Sequence, residues 1–131
     1  MRFVDSNVFV YSLAADPAYG ETAKAILSRI EQGEQAATST LVVNQVVSYL
    51  GWKKKASSIP HFLEFLQSLP SLSKTETTFA DYVEAKKRSD EKWSLFDDYV
   101  IARQMERLNL TEIYSNDSDF DNIEHIKRIF E

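Results

Sequence analysis

Short strand-like runs alternate with longer stretches of helical periodicity along the chain, and no other feature limits the fold as much. Arg2-Phe3-Val4 reads as a strand that stops at Asp5, and Val8–Ala14 as a short helix, with Ser6 and Asn7 suited to a turn or a helix cap. Between Glu21 and Gln32, Ala23, Ile26, Leu27 and Ile30 recur at the spacing of one helical face, and Gly33 closes that helix. Gln35–Thr38 reads as a second strand and Leu41–Lys54 as the helix after it. Pro60 opens a helix with an apolar face of Phe62, Phe65, Leu66 and Leu69. Pro70–Ser73 is a strand or a connection, Thr75 starts a helix running through Lys86, and Ser89–Lys92 is a polar loop. Ser94-x-x-Asp97 resembles a capping box ahead of a helix to Leu108. Glu112–Ser115 is another strand, Asn116–Asp121 a polar loop, and His125–Phe130 a last strand or short helix. This order predicts a single α/β domain over residues 1–131, with a central, mostly parallel sheet and helices on both faces.

The chain has no Cys, which excludes disulfides, Cys-based zinc sites and thiol nucleophiles. Its three glycines form no phosphate-cradling loop and no Gly-x-Ser-x-Gly elbow, so nucleotide-dependent chemistry and serine hydrolysis rank low. His61 and His125 stand alone without a partner at metal-ligand spacing. No apolar run reaches the ~18–20 residues of a membrane span, and the N-terminal segment is a poor signal peptide, so a cytoplasmic location is expected. The net charge of −5 is not the footprint of a protein that holds nucleic acid by charge alone. A bound divalent cation reverses the local sign, so a nuclease stays open.

The placement of acids carries the chemistry. Asp5 follows the first strand, Asp97 and Asp98 stand near the start of a strong helix, and Asp117, Asp119 and Asp121 follow a late strand. In open α/β sheets, ligands bind beyond the carboxyl ends of the strands; a parallel sheet would project Asp5 and Asp117 at the same edge, where a helix N-terminus can bring Asp97 or Asp98. Converging carboxylates repel one another, and a hard cation such as Mg²⁺ or Mn²⁺ removes the conflict. Such a site suits phosphodiester hydrolysis. Taken singly, each acid is equally at home in a turn or at a helix N-terminus.

Three segments together resemble the PIN-domain family. They are Phe3-Val4-Asp5-Ser6-Asn7-Val8-Phe9-Val10, Asp98-Tyr99-Val100-Ile101-Ala102 and Ile113-Tyr114-Ser115-Asn116-Asp117-Ser118-Asp119-Phe120. The offset of 19 from Asp98 to Asp117 fits the family layout and favours Asp98 over Asp97 as the matching acid. The resemblance implies a three-layer α/β/α fold and a Mg- or Mn-dependent endoribonuclease of the compact VapC toxin type. It implies a paired antitoxin and a homodimer. Metal would be held by Asp5, Asp98 and Asp117, with Asp119 supporting them or holding a second metal, and Ser6, Asn7, Ser115 and Asn116 would shape the site by hydrogen bonding.

One position departs from the family pattern. Ser39-Thr40-Leu41-Val42-Val43-Asn44-Gln45-Val46 aligns with a segment in which a Glu is expected where Gln45 stands. Gln keeps a carbonyl oxygen and loses the charge. Three readings follow: a weakened or inactive member, a replacement introduced to make a toxic protein tolerable, or another acid in its stead. The rival to an active nuclease is a degenerate module that binds RNA or protein. A dehalogenase-like phosphatase built on Asp5 is disfavoured by Asn7 two residues later.

Lys53-Lys54-Lys55 has two readings, a helix C-terminus complementing its dipole or a contact with RNA phosphates; Lys86-Lys87-Arg88 and Lys127-Arg128 have the same two. Trp52 and Trp93 are expected in the core or an interface, with base stacking as the alternative.

Overall fold

A computed structural model of the chain describes residues 1–89 and 93–131. Its strands are β1 (Arg2–Val4), β2 (Ala36–Ser39), β3 (Leu72–Thr75), β4 (Glu112–Tyr114) and β5 (Lys127–Ile129). They form one sheet in the order β3-β2-β1-β4-β5, and every pairing is parallel. The helices are α1 (Ser6–Leu13), α2 (Gly20–Glu31), α3 (Thr40–Trp52), α4 (Ile59–Gln67), α5 (Phe79–Ser89) and α6 (Phe96–Arg107).

Strand order dictates the layers. From β1 to β3 the chain steps one way across the sheet, and from β3 to β5 it steps back. Right-handed crossovers then put α1–α4 on one face and α5 and α6 on the other. The packing agrees, since α1 lies on α2 and α3 while α5 lies on α6. Strands covered on both faces must be apolar almost throughout. Phe3, Val4, Ala36, Ala37, Ile113 and Tyr114 are accordingly buried. From α4, Phe62 and Leu66 enter the core, with Leu69 just beyond it, and Phe65 packs half-buried beside them. Among the described residues, no helix is long and apolar enough to cross a membrane.

Several local expectations are corrected. Asp5, not Ser6 or Asn7, occupies the cap of α1, and its side chain accepts from the Ser6 N–H. Thr75 ends β3 rather than starting a helix, because it pairs with Ser39 in the sheet. The helix starts at Phe79 behind a box in which the Thr78 N–H donates to Asp81 and the Asp81 N–H donates to Thr78 Oγ1. The Ser94-x-x-Asp97 box does not form. A 3-10 turn over Trp93–Leu95 leads into α6, Leu95 takes the cap position, and the Asp97 carboxylate is engaged from α3 instead. The expected loop at 89–92 lies outside the described residues from 90 onward, and Ser89 itself is the last residue of α5. Trp52 and Trp93 are 78% and 81% exposed, so neither is a core residue.

A buried ion pair pins the two-helix layer. Asp81 on α5 is fully buried and takes two hydrogen bonds from Arg107 on α6, at 2.8 and 2.7 Å. Burial alone would raise its carboxyl, but Arg107 and the Thr78 N–H outweigh it and hold Asp81 below the usual carboxylate range. Arg107→Ala strands that carboxylate and should cost about 2–3 kcal/mol by urea denaturation at pH 7. A depressed carboxyl contributes stability above its unfolded pKa and loses it as pH falls, so the penalty should shrink below about pH 4. A penalty independent of pH would contradict this account.

Candidate functional site

Because α1–α4 and α5–α6 leave the sheet on opposite faces, the strand order reverses between β1 and β4, and a crevice opens at their carboxyl ends. Asp5 follows β1 directly, and Asp117 lies three residues past β4. The first turn of α6 brings Asp97 and Asp98 to the same edge.

A polar network fixes the loops around the crevice. The Asp5 N–H continues the sheet by donating to the Tyr114 carbonyl, and the Ser115 N–H donates to the Ile129 carbonyl. Ser115 Oγ donates to Asp5 Oδ2 at 2.7 Å and accepts from Asn7 Nδ2 and from the Asp117 N–H. Asn7 Nδ2 also reaches Asp5 Oδ2, and Asn7 Oδ1 accepts from the Asn116 N–H. Asn116 Nδ2 donates to the Tyr11 hydroxyl. Ser115 and Asn7 thereby tie the β4 loop to the start of α1. Ser6 contributes its backbone N–H to Asp5. Asp117 caps the 3-10 turn Ser118–Asn122 by accepting from the Asp119 N–H.

Of the expected ligands, Asp98, Asp117 and Asp119 come together, with one carboxylate oxygen from each within 4.8 Å of the others. Asp5 lies outside that set, buried and held by three hydrogen bonds. Its charge still reaches the set. Burial raises the Asp5 carboxyl first and foremost, and Asp117 adds to the shift against the hydrogen bonds from Ser115 and Ser6. Asp98 is pushed up to about 7, by burial first and then by Asp117, Asp5, Asp119 and Asp97. The acids repel one another, and none of the effects that shift Asp98 comes from a cation among the described residues.

These donors fit a hard divalent cation. Around an octahedral Mg²⁺, neighbouring oxygen ligands stand about 3 Å apart and opposite ones about 4.2 Å, so the three Asp oxygens, already within 4.8 Å of one another, would draw together to share one. The pushed-up Asp98 is the sign of charge awaiting compensation.

Gln45 also lies at this edge. From the second turn of α3, its Nε2 donates to Asp97 Oδ2 at 2.9 Å. Its Oε1 is buried and has no hydrogen-bond partner among the described residues. The sequence did not reveal this contact, since 52 residues separate the partners and only the fold joins them.

The basic clusters fall elsewhere. Lys53 caps the far end of α3, about 12 Å of helix rise beyond Gln45, with its ammonium over the Trp52 ring at 4.9 Å. Lys54 adopts φ +58° just past that helix, before Lys55. Arg88 pairs with Glu106 and Lys87 with Glu84. Arg128 lies nearer the acids. It makes two 3.0 Å hydrogen bonds to Asp121, and Asp117 adds to the rise in its pKa.

A family model described as PIN domain matches residues 2–126. No curated protein matches the chain by sequence. Among solved structures, the chain is similar to Mycobacterium tuberculosis VapC20, a sarcin-ricin loop cleaving toxin, with a TM-score of 0.77 at 19% identity, covering 92% of this chain and 93% of that one. It is similar to VapBC2 from Rickettsia felis, bound to a fragment of promoter DNA, with a TM-score of 0.71 at 17% identity over 98% and 96% of the two chains. A toxin-antitoxin complex from Klebsiella pneumoniae gives 0.66 at 15% identity over 97% and 96%.

The raised Asp98 carboxyl makes the metal-free protein pH-sensitive. Between about pH 4 and 7 the folded state binds a proton that the unfolded state has lost, so stability falls as pH rises through that window. Asp98→Asn should therefore raise the thermal midpoint of metal-free protein at pH 8 by a few degrees and leave it nearly unchanged at pH 4. Differential scanning calorimetry in chelator decides the point; a destabilised variant at pH 8 would contradict it.

Proposed function

Because the chain belongs to the PIN domain family, we propose that it is a divalent-metal-dependent endoribonuclease and the toxin of a toxin-antitoxin pair. One observation carries the reading: Asp98, Asp117 and Asp119 converge at the sheet's switch point, with the buried Asp5 near enough to interact with Asp117. The toxins among its structural neighbours support it through shared fold.

Asp98, Asp117 and Asp119 would hold Mg²⁺ or Mn²⁺, which when bound supplies Lewis acidity toward a phosphate oxygen and lowers the pKa of water. Asp5 adds charge from below, oriented by Ser6, Asn7 and Ser115. Asn116 holds the loop that carries Asp117. A carboxyl that titrates near 7 gives up its proton when a cation arrives, so loading at neutral pH releases protons from Asp98. Without a cation, four clustered acids would repel an RNA phosphate. Arg128, close to the acids, offers that phosphate a positive partner at the rim. Lys53, Lys54 and Lys55 would meet RNA only along a path running past α3. The protein would act in the cytoplasm, as a homodimer neutralised by its antitoxin.

Gln45 supports a second reading, a PIN-like module that binds RNA or protein without cutting, because an amide stands where charge is expected. A structured RNA pool incubated with Mn²⁺ separates the two. The nuclease reading predicts cleavage abolished by EDTA and reduced at least about 100-fold by Asp98→Asn or Asp117→Asn. Cleavage that survives both substitutions would refute the site, and intact RNA at saturating Mn²⁺ would favour the binding module.

A further inference from the structure

We propose that Gln45 and Asp97 act as one unit, in which the Gln45 amide positions the Asp97 carboxylate as a further negative charge on the acidic centre. The inference rests on the reading of that centre as a divalent-cation site. It identifies which acid makes up for the missing charge at position 45.

The geometry is specific. Asp97 is an exposed residue in the first turn of α6, where a carboxylate ordinarily swings freely beside the helix dipole. Here it is held by an N–H of Gln45 at 2.9 Å, from a helix in the opposite layer. Only a donor at position 45 can do this. A carboxylate there would meet Asp97 with like charge, whereas an amide supplies N–H to Asp97 and keeps a carbonyl oxygen. The held charge sits beside the centre, since Asp97 directly precedes Asp98 in the first turn of α6. The other end of the amide tells the same story. Gln45 Oε1 is shut off from water with no partner among the described residues, an arrangement that folding alone disfavours. It leaves a buried acceptor, on the side chain that holds Asp97, which the fold itself does not use. A mere tie between the layers would account for the Nε2 contact and leave that oxygen unexplained.

Asp97 is thus assigned as a positioning and charge-supplying residue, and Gln45 as the group that orients it. The exchange of charge between α3 and α6 is testable by moving it back. Mn²⁺ affinity would be measured by titration calorimetry at pH 7.5 for the full chain, Asp97→Asn, Asp97→Ser, Gln45→Ala and the double variant Gln45→Glu/Asp97→Asn. In the double variant the amide and the carboxylate trade places and the hydrogen bond runs in the opposite direction. Glu21→Gln, on the remote α2 helix, controls for net charge. The expected result is a loss of roughly tenfold in affinity for either Asp97 variant, a smaller loss for Gln45→Ala, recovery to within about threefold in the double variant, and no change for Glu21→Gln. An Asp97→Asn protein that binds Mn²⁺ as wild type does would overturn the inference and leave the cation site standing. Loss in Asp97→Asn without recovery in the exchanged pair would overturn the coupling to Gln45. Wild-type protein that binds no Mn²⁺ would overturn the cation site and this inference with it.

Discussion

Mutual repulsion among carboxylates is the constraint around which the working edge of this protein is built. Four Asp side chains from three distant segments approach one another at the switch point of a parallel sheet, and Asp98 feels all of the others. Left to themselves, such groups would spread apart or take up protons. They stay because the backbone beneath them is over-determined. Asp5 is locked by Ser6, Asn7 and Ser115, the β4 loop is locked to α1 through Asn7 and Asn116, and the sheet runs on through the Asp5 and Ser115 amides. Strain at the edge is held by order in the core, the usual relation between a rigid scaffold and a preorganised site.

The same topology explains why the site can be made from so short a chain. With β1 central, one reversal of strand order across the parallel sheet opens one crevice, and the residues just past β1 and β4 face it automatically. α6 need only present its first turn there. On that helix Val100, Ile101 and Met105 are buried while Asp97 and Asp98 are left at the edge, so one helix anchors a layer and supplies acids.

Much of this was legible in the sequence. The strand-Asp-Ser-Asn opening, the acid before Tyr99-Val100-Ile101-Ala102 and the Ser115-Asn116-Asp117-Ser118-Asp119 run each mark a strand or helix end by local chemistry, so their places in the fold could be read directly. The alternation of elements likewise gave the α/β class, and five of the helices, α1–α4 and α6, begin or end within a few residues of the bounds their sequence suggests. What stayed hidden depended on partners distant in sequence. Thr75 takes its place in β3 from pairing with Ser39, which its local sequence does not show. Thr77 reaches across to satisfy the first turn of α3, donating its N–H to Thr40 Oγ1 and accepting the Leu41 N–H. Ser94-x-x-Asp97 matched a local cap, but Gln45 claimed the carboxylate. Trp52, at the end of α3 away from its buried Val42, Val46 and Leu50, and Trp93, in a 3-10 turn with no buried residue, are exposed, which residue type alone does not reveal.

The account stands or falls on whether the acidic edge holds a cation. Diffraction from crystals soaked in Mn²⁺, with data collected for the anomalous signal of manganese, tests it directly. The account predicts an anomalous peak bounded by the carboxylates of Asp98, Asp117 and Asp119, with the Asp5 carboxylate behind it. An occupied crystal with no peak between those three side chains, or with manganese only at other surface carboxylates, would contradict it.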